Sequence, residues 1–125
     1  MIMSLAVLGC VILGALAVFQ ALLVAGRPLG RFAWGGQHDI LPTGLRVGSA
    51  VSIALYGGIA VLMLCAAGAM DVFSDGFVDV AVWVLTGYFA LGIGMNAISR
   101  SRPERLVMTP VVLVLAVVCL VLALQ

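Results

Sequence analysis

The sequence has no lysine, a single histidine and very little charge: Asp, Glu and Arg together make up 9% of its residues. A water-soluble domain carries about a quarter charged residues and uses them to cover its surface. A chain this poor in charge has lipid as its solvent. The three cysteines, Cys10, Cys65 and Cys119, form no C-x-x-C pair and no Cys/His spacing. A zinc site or disulfide framework is therefore unsupported, and the cysteines read as small hydrophobes. No metal, cofactor or nucleic-acid partner is expected.

What is present is apolar: 65% of the residues are hydrophobic. A membrane helix needs about 20 consecutive apolar residues, and four segments qualify, at about residues 2–26, 45–70, 77–98 and 102–124. The first lacks a basic leader and exceeds the usual length of a signal-peptide core, so it is read as a helix. The expectation is an all-α fold, a transmembrane four-helix bundle forming one integral membrane domain over residues 1–125.

The charges are segregated. All six basic residues are arginines: Arg27, Arg31, Arg46, Arg100, Arg102 and Arg105 flank the first and third connections. The second connection holds none and carries Asp71 and Asp75, with Asp79 just beyond. An even number of spans places both arginine-bearing connections on one side, and the positive-inside rule makes that side cytoplasmic. Both termini then lie outside. The exclusive use of arginine fits a GC-rich, bacterial genome, and hence a bacterial cytoplasmic (plasma) membrane.

Turn chemistry adds detail. Ser101-Arg102-Pro103-Glu104 has the spacing of a capping box, in which Ser101 caps the fourth helix and Glu104 reaches back to the Ser101 N–H. Thr43 after Pro42 is an N-cap candidate for the second helix. Ser74-Asp75-Gly76 reads as a turn leading into the third, whose dipole Asp75 and Asp79 would complement. Pro110 falls inside the fourth, where a kink is expected.

In lipid, helices associate through small residues that let backbones approach. Such stripes run along the first helix (Ala6, Cys10, Gly14, Ala17, Ala21, Ala25), the second (Ser49, Ser52, Tyr56, Ala60) and the third (Gly87, Ala90, Gly94, Ala97, with Trp83 before them). These three are expected to face one another. The fourth, rich in Val and Leu, is expected to be the most lipid-exposed, the alternative being that its β-branched surface contacts another subunit.

Residues 27–44 form the richest connection. Trp34 lies between Phe32 and Gly35-Gly36, followed by Gln37, His38 and Asp39. The plain reading is an interfacial loop with an aromatic anchor and snorkelling arginines. The functional reading is a binding loop. Arg27, Arg31, Trp34, Arg46, Arg100, Arg102 and Arg105 are its candidates for contact with anionic lipid or an acidic protein partner. His38 beside Asp39 has no nucleophile, second base or metal ligand at suitable spacing, so no catalytic residue is assigned and no enzyme is expected. Gln20, Tyr56, Tyr88 and Asn96 are the polar side chains at membrane depth. Inter-helix hydrogen bonds are their ordinary use, and lining a polar pocket is the functional alternative.

The run Gly26-Arg27-Pro28-Leu29-Gly30, with Trp34-Gly35-Gly36, Leu41-Pro42 and Arg46, resembles an uncharacterised family of small bacterial four-helix integral membrane proteins. Asn96 and Ser101-Arg102-Pro103-Glu104-Arg105, followed by Pro110, resemble its second hallmark. The resemblance spans essentially the whole chain and implies topology and a shared cytoplasmic surface, with no catalytic residue. Small multidrug transporters have the same helix number but need a glutamate in the first helix, which is absent. Fluoride channels need a Phe-Ser-Thr-Phe run, also absent.

Two functions compete. One is a non-enzymatic accessory subunit or self-assembling bundle, homo-oligomeric or within a larger membrane complex, with a cytoplasmic basic face. The other is a binder or carrier of a hydrophobic small molecule or lipid in an inter-helix cavity. Proton-coupled transport is disfavoured because no ionisable group lies at the membrane midplane. The first reading is preferred on sequence, and a wide polar cavity containing Asn96 or Tyr88 would reverse the order. The topology is testable by single-cysteine labelling in a cysteine-free background. Position 75 should react with an impermeant reagent added outside; reaction of position 34 would contradict the assignment.

Overall fold

Each apolar run becomes one helix, and its ends fall where backbone caps allow. In the computed structural model, which describes all of residues 1–125, α1 spans Ile2–Val24, α2 Thr43–Ala66, α3 Asp75–Ala97 and α4 Arg102–Leu124, with no strand. All four are long and apolar enough to cross a membrane. At 1.5 Å per residue each runs about 35 Å, against a hydrocarbon core of about 30 Å.

The boundaries differ from expectation where glycine or proline intervenes. α2 stops four residues short of Met70. Gly68 takes a left-handed φ of +83°. Its N–H then donates to the Cys65 carbonyl at 3.1 Å, and the Ala69 N–H donates to that of Leu64 at 2.9 Å. This is a Schellman ending, which only glycine enters at low cost. Gly26 ends α1 in the same way. Thr43 does not cap α2: Pro42 holds the N-cap position without a side-chain bond, and Thr43 is the first helical residue. α3 begins two residues early, because the Ser74 hydroxyl accepts from the Phe77 N–H at 3.3 Å. Asp75 then lies in the first turn, where the helix dipole favours a carboxylate. α4 runs through Pro110.

The helices form an up–down bundle. α1 packs chiefly on α2 and α3 chiefly on α4, and the α1–α4 and α2–α3 seams that close the ring are sparser. The expected exposure of α4 is overturned. A third (33%) of its membrane-length window is buried, against 17% for each other helix. Leu115, Ala116, Val118, Cys119, Leu122 and Ala123 fill the core. Since lipid is as apolar as leucine, Val and Leu content does not tell lipid from core. Its small residues Ala116, Cys119 and Ala123 share the buried face.

The α3 stripe is also reversed. Gly87, Ala90, Gly94 and Ala97 are exposed, as is Trp83, and the buried face is Val78, Val82 and Phe89. On α1 the buried face is Ala6, Gly9, Leu13, Gln20 and Leu23, so the expected stripe is rotated by about one position and Gly14 and Ala21 lie outside. The α2 stripe does turn inward: Ser49 is fully buried and Ser52, Tyr56 and Ala60 are half-buried.

Gly9 marks where α1, α2 and α4 meet. A Cβ there would sit 2.6 Å from Met63 Sδ and 3.3 Å from Val118 Cγ1, whereas a Cβ on Gly94 would meet nothing within 4 Å. Gly9→Leu should therefore destabilise the bundle by about 1–3 kcal/mol, the usual cost of overpacking. Gly94→Leu should fall within about 0.5 kcal/mol of the parent, as surface changes do. Unfolding in mixed micelles measures both, and equal losses would show that the α3 face is misassigned.

A candidate binding cavity beneath the basic connection

The α1–α2 connection is not a slack loop. It forms two 3-10 turns, Gly30–Phe32 and Trp34–Gly36, and folds onto the N-terminus of α4. The Gly35 N–H donates to Glu104 Oε2 at 3.3 Å, and the Ser101 hydroxyl donates to the Arg31 carbonyl. Gly36 lies so close to Ser101 that a Cβ would come within 2.3 Å of the serine Cβ. The expected capping box is thus half formed. Ser101 does accept from the Glu104 N–H, at 3.5 Å. Glu104 spends its carboxylate on the loop, and the Ser101 N–H donates instead to Ser99 Oγ at 3.2 Å.

Trp34 ties the connection to α2. Its indole N–H donates to Ser49 Oγ at 3.1 Å. Its ring lies on the Gly48 backbone, where a Cβ would be 2.9 Å from Cη2. Trp34 has φ +53°, the only positive φ outside glycine. Such a conformation costs on the order of 1–3 kcal/mol and persists only where its surroundings enforce it. A small apolar cluster of Leu23, Ala33 and Leu41 sits under the connection, and Phe19 and Phe32 meet edge to face with centroids 6.5 Å apart.

The sequence-derived arginines all reach this end of the molecule, but they are not equivalent. Arg46 Nε donates to the Leu41 carbonyl at 2.9 Å beside Gly26, just past the C-terminus of α1. Arg105 donates to the Ser99 carbonyl at 2.9 Å. These two tie turns together. Arg27, Arg31, Arg100 and Arg102 are exposed, with Arg31 stacked 5.0 Å over the Phe32 ring. His38 and Asp39 are exposed.

Beneath the connection lies a cavity of about 420 Å³ to which all four helices contribute. Its polar wall is Gln20, Ser52, Tyr56, Tyr88, Asn96 and Glu104. The four residues singled out at membrane depth thus share one space, although only one pair bonds between helices: Gln20 Nε2 donates to Tyr56 Oη at 3.3 Å. Asn96 donates to the Gly92 carbonyl of its own helix at 2.8 Å, and Tyr88 meets Phe89 edge to face with centroids 5.3 Å apart. Glu104 was missed as a wall residue, because its capping motif accounted for it locally.

The cavity shares part of its wall with a second space. A groove of about 540 Å³ runs between α2 and α3 toward Phe73 and Phe77, almost wholly apolar. Ser52, Tyr56 and Tyr88 line both. The groove exists because the α2–α3 seam is sparse. Comparisons with family models, curated proteins and solved structures return no match.

The fit at Gly36 is testable. Gly36→Ala adds a Cβ at φ +70° into Ser101, whereas Gly44→Ala, within α2, meets nothing within 4 Å. Limited proteolysis should cut residues 27–42 faster in Gly36→Ala, with a stability loss of more than about 1 kcal/mol. Gly44→Ala should be neutral or stabilising by up to about 1 kcal/mol. Equal protection of the two variants would mean that the connection does not dock on α4.

Proposed function

We propose that the protein binds an amphipathic membrane molecule, a lipid or lipid-like compound, in the open-sided space bordered by its four helices. The observation that carries this reading is a pair of adjoining spaces with shared walls: a mostly apolar cavity with a few polar groups, Tyr88 and Asn96 among them, on its wall, and an apolar groove between α2 and α3. Ligand sites are concave and mostly apolar, with a few converging polar groups, at about 300–1,000 Å³. The groove would hold a hydrocarbon tail and the chamber a polar head. This arrangement supports the binder or carrier over the accessory bundle. The proposed activity is binding or carriage, with no chemical step.

The orientation proposed is basic end cytoplasmic, acidic turn and both termini outside, in a bacterial plasma membrane. Arginine segregation supports it. The chamber then lies toward the cytoplasmic leaflet. The four exposed arginines hold the bundle at that surface through anionic lipid, at on the order of 1 kcal/mol each. The accessory-subunit reading keeps one supporting observation, the outward stripe of Gly87, Ala90 and Gly94 on α3, a surface on which a second helix could pack closely.

Ser52 lines both spaces, so Ser52→Trp fills their junction. Native mass spectrometry of protein released from nanodiscs of total bacterial polar lipid should show one retained amphipath on the parent. The Ser52→Trp protein, with unchanged circular dichroism, should lose it. Identical retained lipid on both proteins would mean that lipid sits only on the outer surface.

A further inference from the structure

The aromatic residues are not spread evenly over the bundle. Of the nine, five Phe, two Trp and two Tyr, six border the cavity: Phe19, Phe32, Trp34, Tyr56, Tyr88 and Phe89. Phe73 and Phe77 border the groove, and Trp83 alone borders neither. Tyr and Trp of membrane helices ordinarily gather at the two interfaces. Tyr88 departs from that rule. It lies nine residues before Ala97, the end of α3 nearest the arginines. That is about 14 Å at 1.5 Å per residue, close to half the hydrocarbon thickness. Its Cα–Cβ bond tilts toward the helix N-terminus, away from that interface. The side chain is 56% exposed, and its hydroxyl bonds to nothing in the chain. Tyr56, by contrast, is bonded to Gln20. A phenol proton at this depth has no water to turn to, so leaving it without an acceptor is costly. Tyr88 borders both spaces, so a molecule lodged in them lies against it.

We infer that the two spaces take a neutral, flat, conjugated ring that carries a carbonyl oxygen, on a hydrocarbon tail: the chemistry of a lipid quinone. This rests on the cavity reading above. The ring lies among the aromatic walls, where offset-stacked and edge-to-face contacts add to the area buried. The carbonyl oxygen accepts from the Tyr88 O–H, which a saturated hydrocarbon would leave unpaired. The tail lies in the groove toward Phe73 and Phe77. The groove lining runs from Ser52 to Leu62 along α2, a distance of about 15 Å at 1.5 Å per residue, which suits one extended tail. No arginine borders the cavity, and Glu104 is the one charged residue on its wall. A carboxylate or phosphate head would meet a like charge there and no counter-charge. Anionic lipid is thereby confined to the outer arginines. The inference concerns binding alone and involves no electron transfer.

Three probes with one alkyl tail separate the ring from the acceptor. They are a fully ring-substituted decyl benzoquinone, inert to thiol addition, then decylbenzene, a ring without an acceptor, and dodecan-2-one, an acceptor without a ring. Saturation binding of the tritiated quinone to delipidated protein in zwitterionic nanodiscs gives its affinity, and displacement gives those of the other two. All three are corrected for partition into empty nanodiscs. The quinone should bind at least about tenfold more tightly than either competitor. Tyr88→Phe keeps the ring and removes the hydroxyl. It should lower quinone affinity by about tenfold and leave that of decylbenzene unchanged. Ser52→Trp should block all three. Equal affinity of quinone and decylbenzene, or undiminished quinone affinity in Tyr88→Phe, would overturn the carbonyl assignment and leave the cavity standing. Dodecan-2-one binding as tightly as the quinone would overturn the ring assignment. Binding that Ser52→Trp does not block would overturn the cavity reading itself. A dimer in native mass spectrometry that Tyr88→Phe dissociates would give the hydroxyl to a second copy of the chain and overturn its assignment to a ligand.

Discussion

The structure depends on the junction between the α1–α2 connection and the first turn of α4. Two residues of that turn do most of the joining. Ser101 caps the helix with one lone pair and donates to the Arg31 carbonyl, while Glu104 receives the Gly35 N–H. Gly36 fits against Ser101 only because it has no side chain. Together with the Trp34–Ser49 bond, these contacts link the first hairpin to the second across the basic end. Elsewhere that link is weaker, because the α2–α3 seam is sparse.

A sparse seam in a water-soluble bundle would be a defect, since water would enter. In a membrane it is a lateral opening toward lipid tails, at no hydrophobic cost. The roof at the basic end and the opening along the side thus have one origin. The chain closes its polar end tightly with hydrogen bonds and leaves its apolar flank loosely packed. The polar groups that would be costly in lipid, Gln20 and Glu104, lie under the roof. The arginines, which are cheap at a charged surface, lie outside it.

The sequence was most legible where lipid imposes the rules. The number of helices, their approximate ends and the collection of all six arginines at one end follow from length, apolarity and charge. Ends at Gly26 and Gly68 were encoded in single glycines whose left-handed geometry stops a helix, a signal readable in retrospect. The helix faces were not legible from small residues alone. Gly87, Gly94 and Ala97 form as regular a stripe as Ala116, Cys119 and Ala123, yet the first faces out and the second fills the core. Nothing in the spacing distinguishes them, because the choice depends on which neighbour offers a matching surface. Glu104 shows the same limit: its spacing from Ser101 matches a local cap, and the Gly35 N–H that claims it lies 69 residues away. Gln20, Tyr56, Tyr88 and Asn96 were recognisable as polar at membrane depth. That they border one space required their azimuths on three helices.

The central claim is that an amphipath occupies the interior rather than the outer surface, and the two tryptophans report the difference. Trp34 borders the cavity with 42% of its surface exposed, whereas Trp83, 46% exposed, lies on the outer face of α3 and does not border it. Single-tryptophan proteins, Trp83→Phe and Trp34→Phe, can be titrated with a long-chain alcohol brominated near its head in nanodiscs of fixed total lipid. Trp34 fluorescence should be quenched saturably at about one alcohol per chain and recover on addition of the unbrominated alcohol, while Trp83 quenching rises in proportion to bromine content. Proportional, uncompeted quenching at both tryptophans would contradict an internal site.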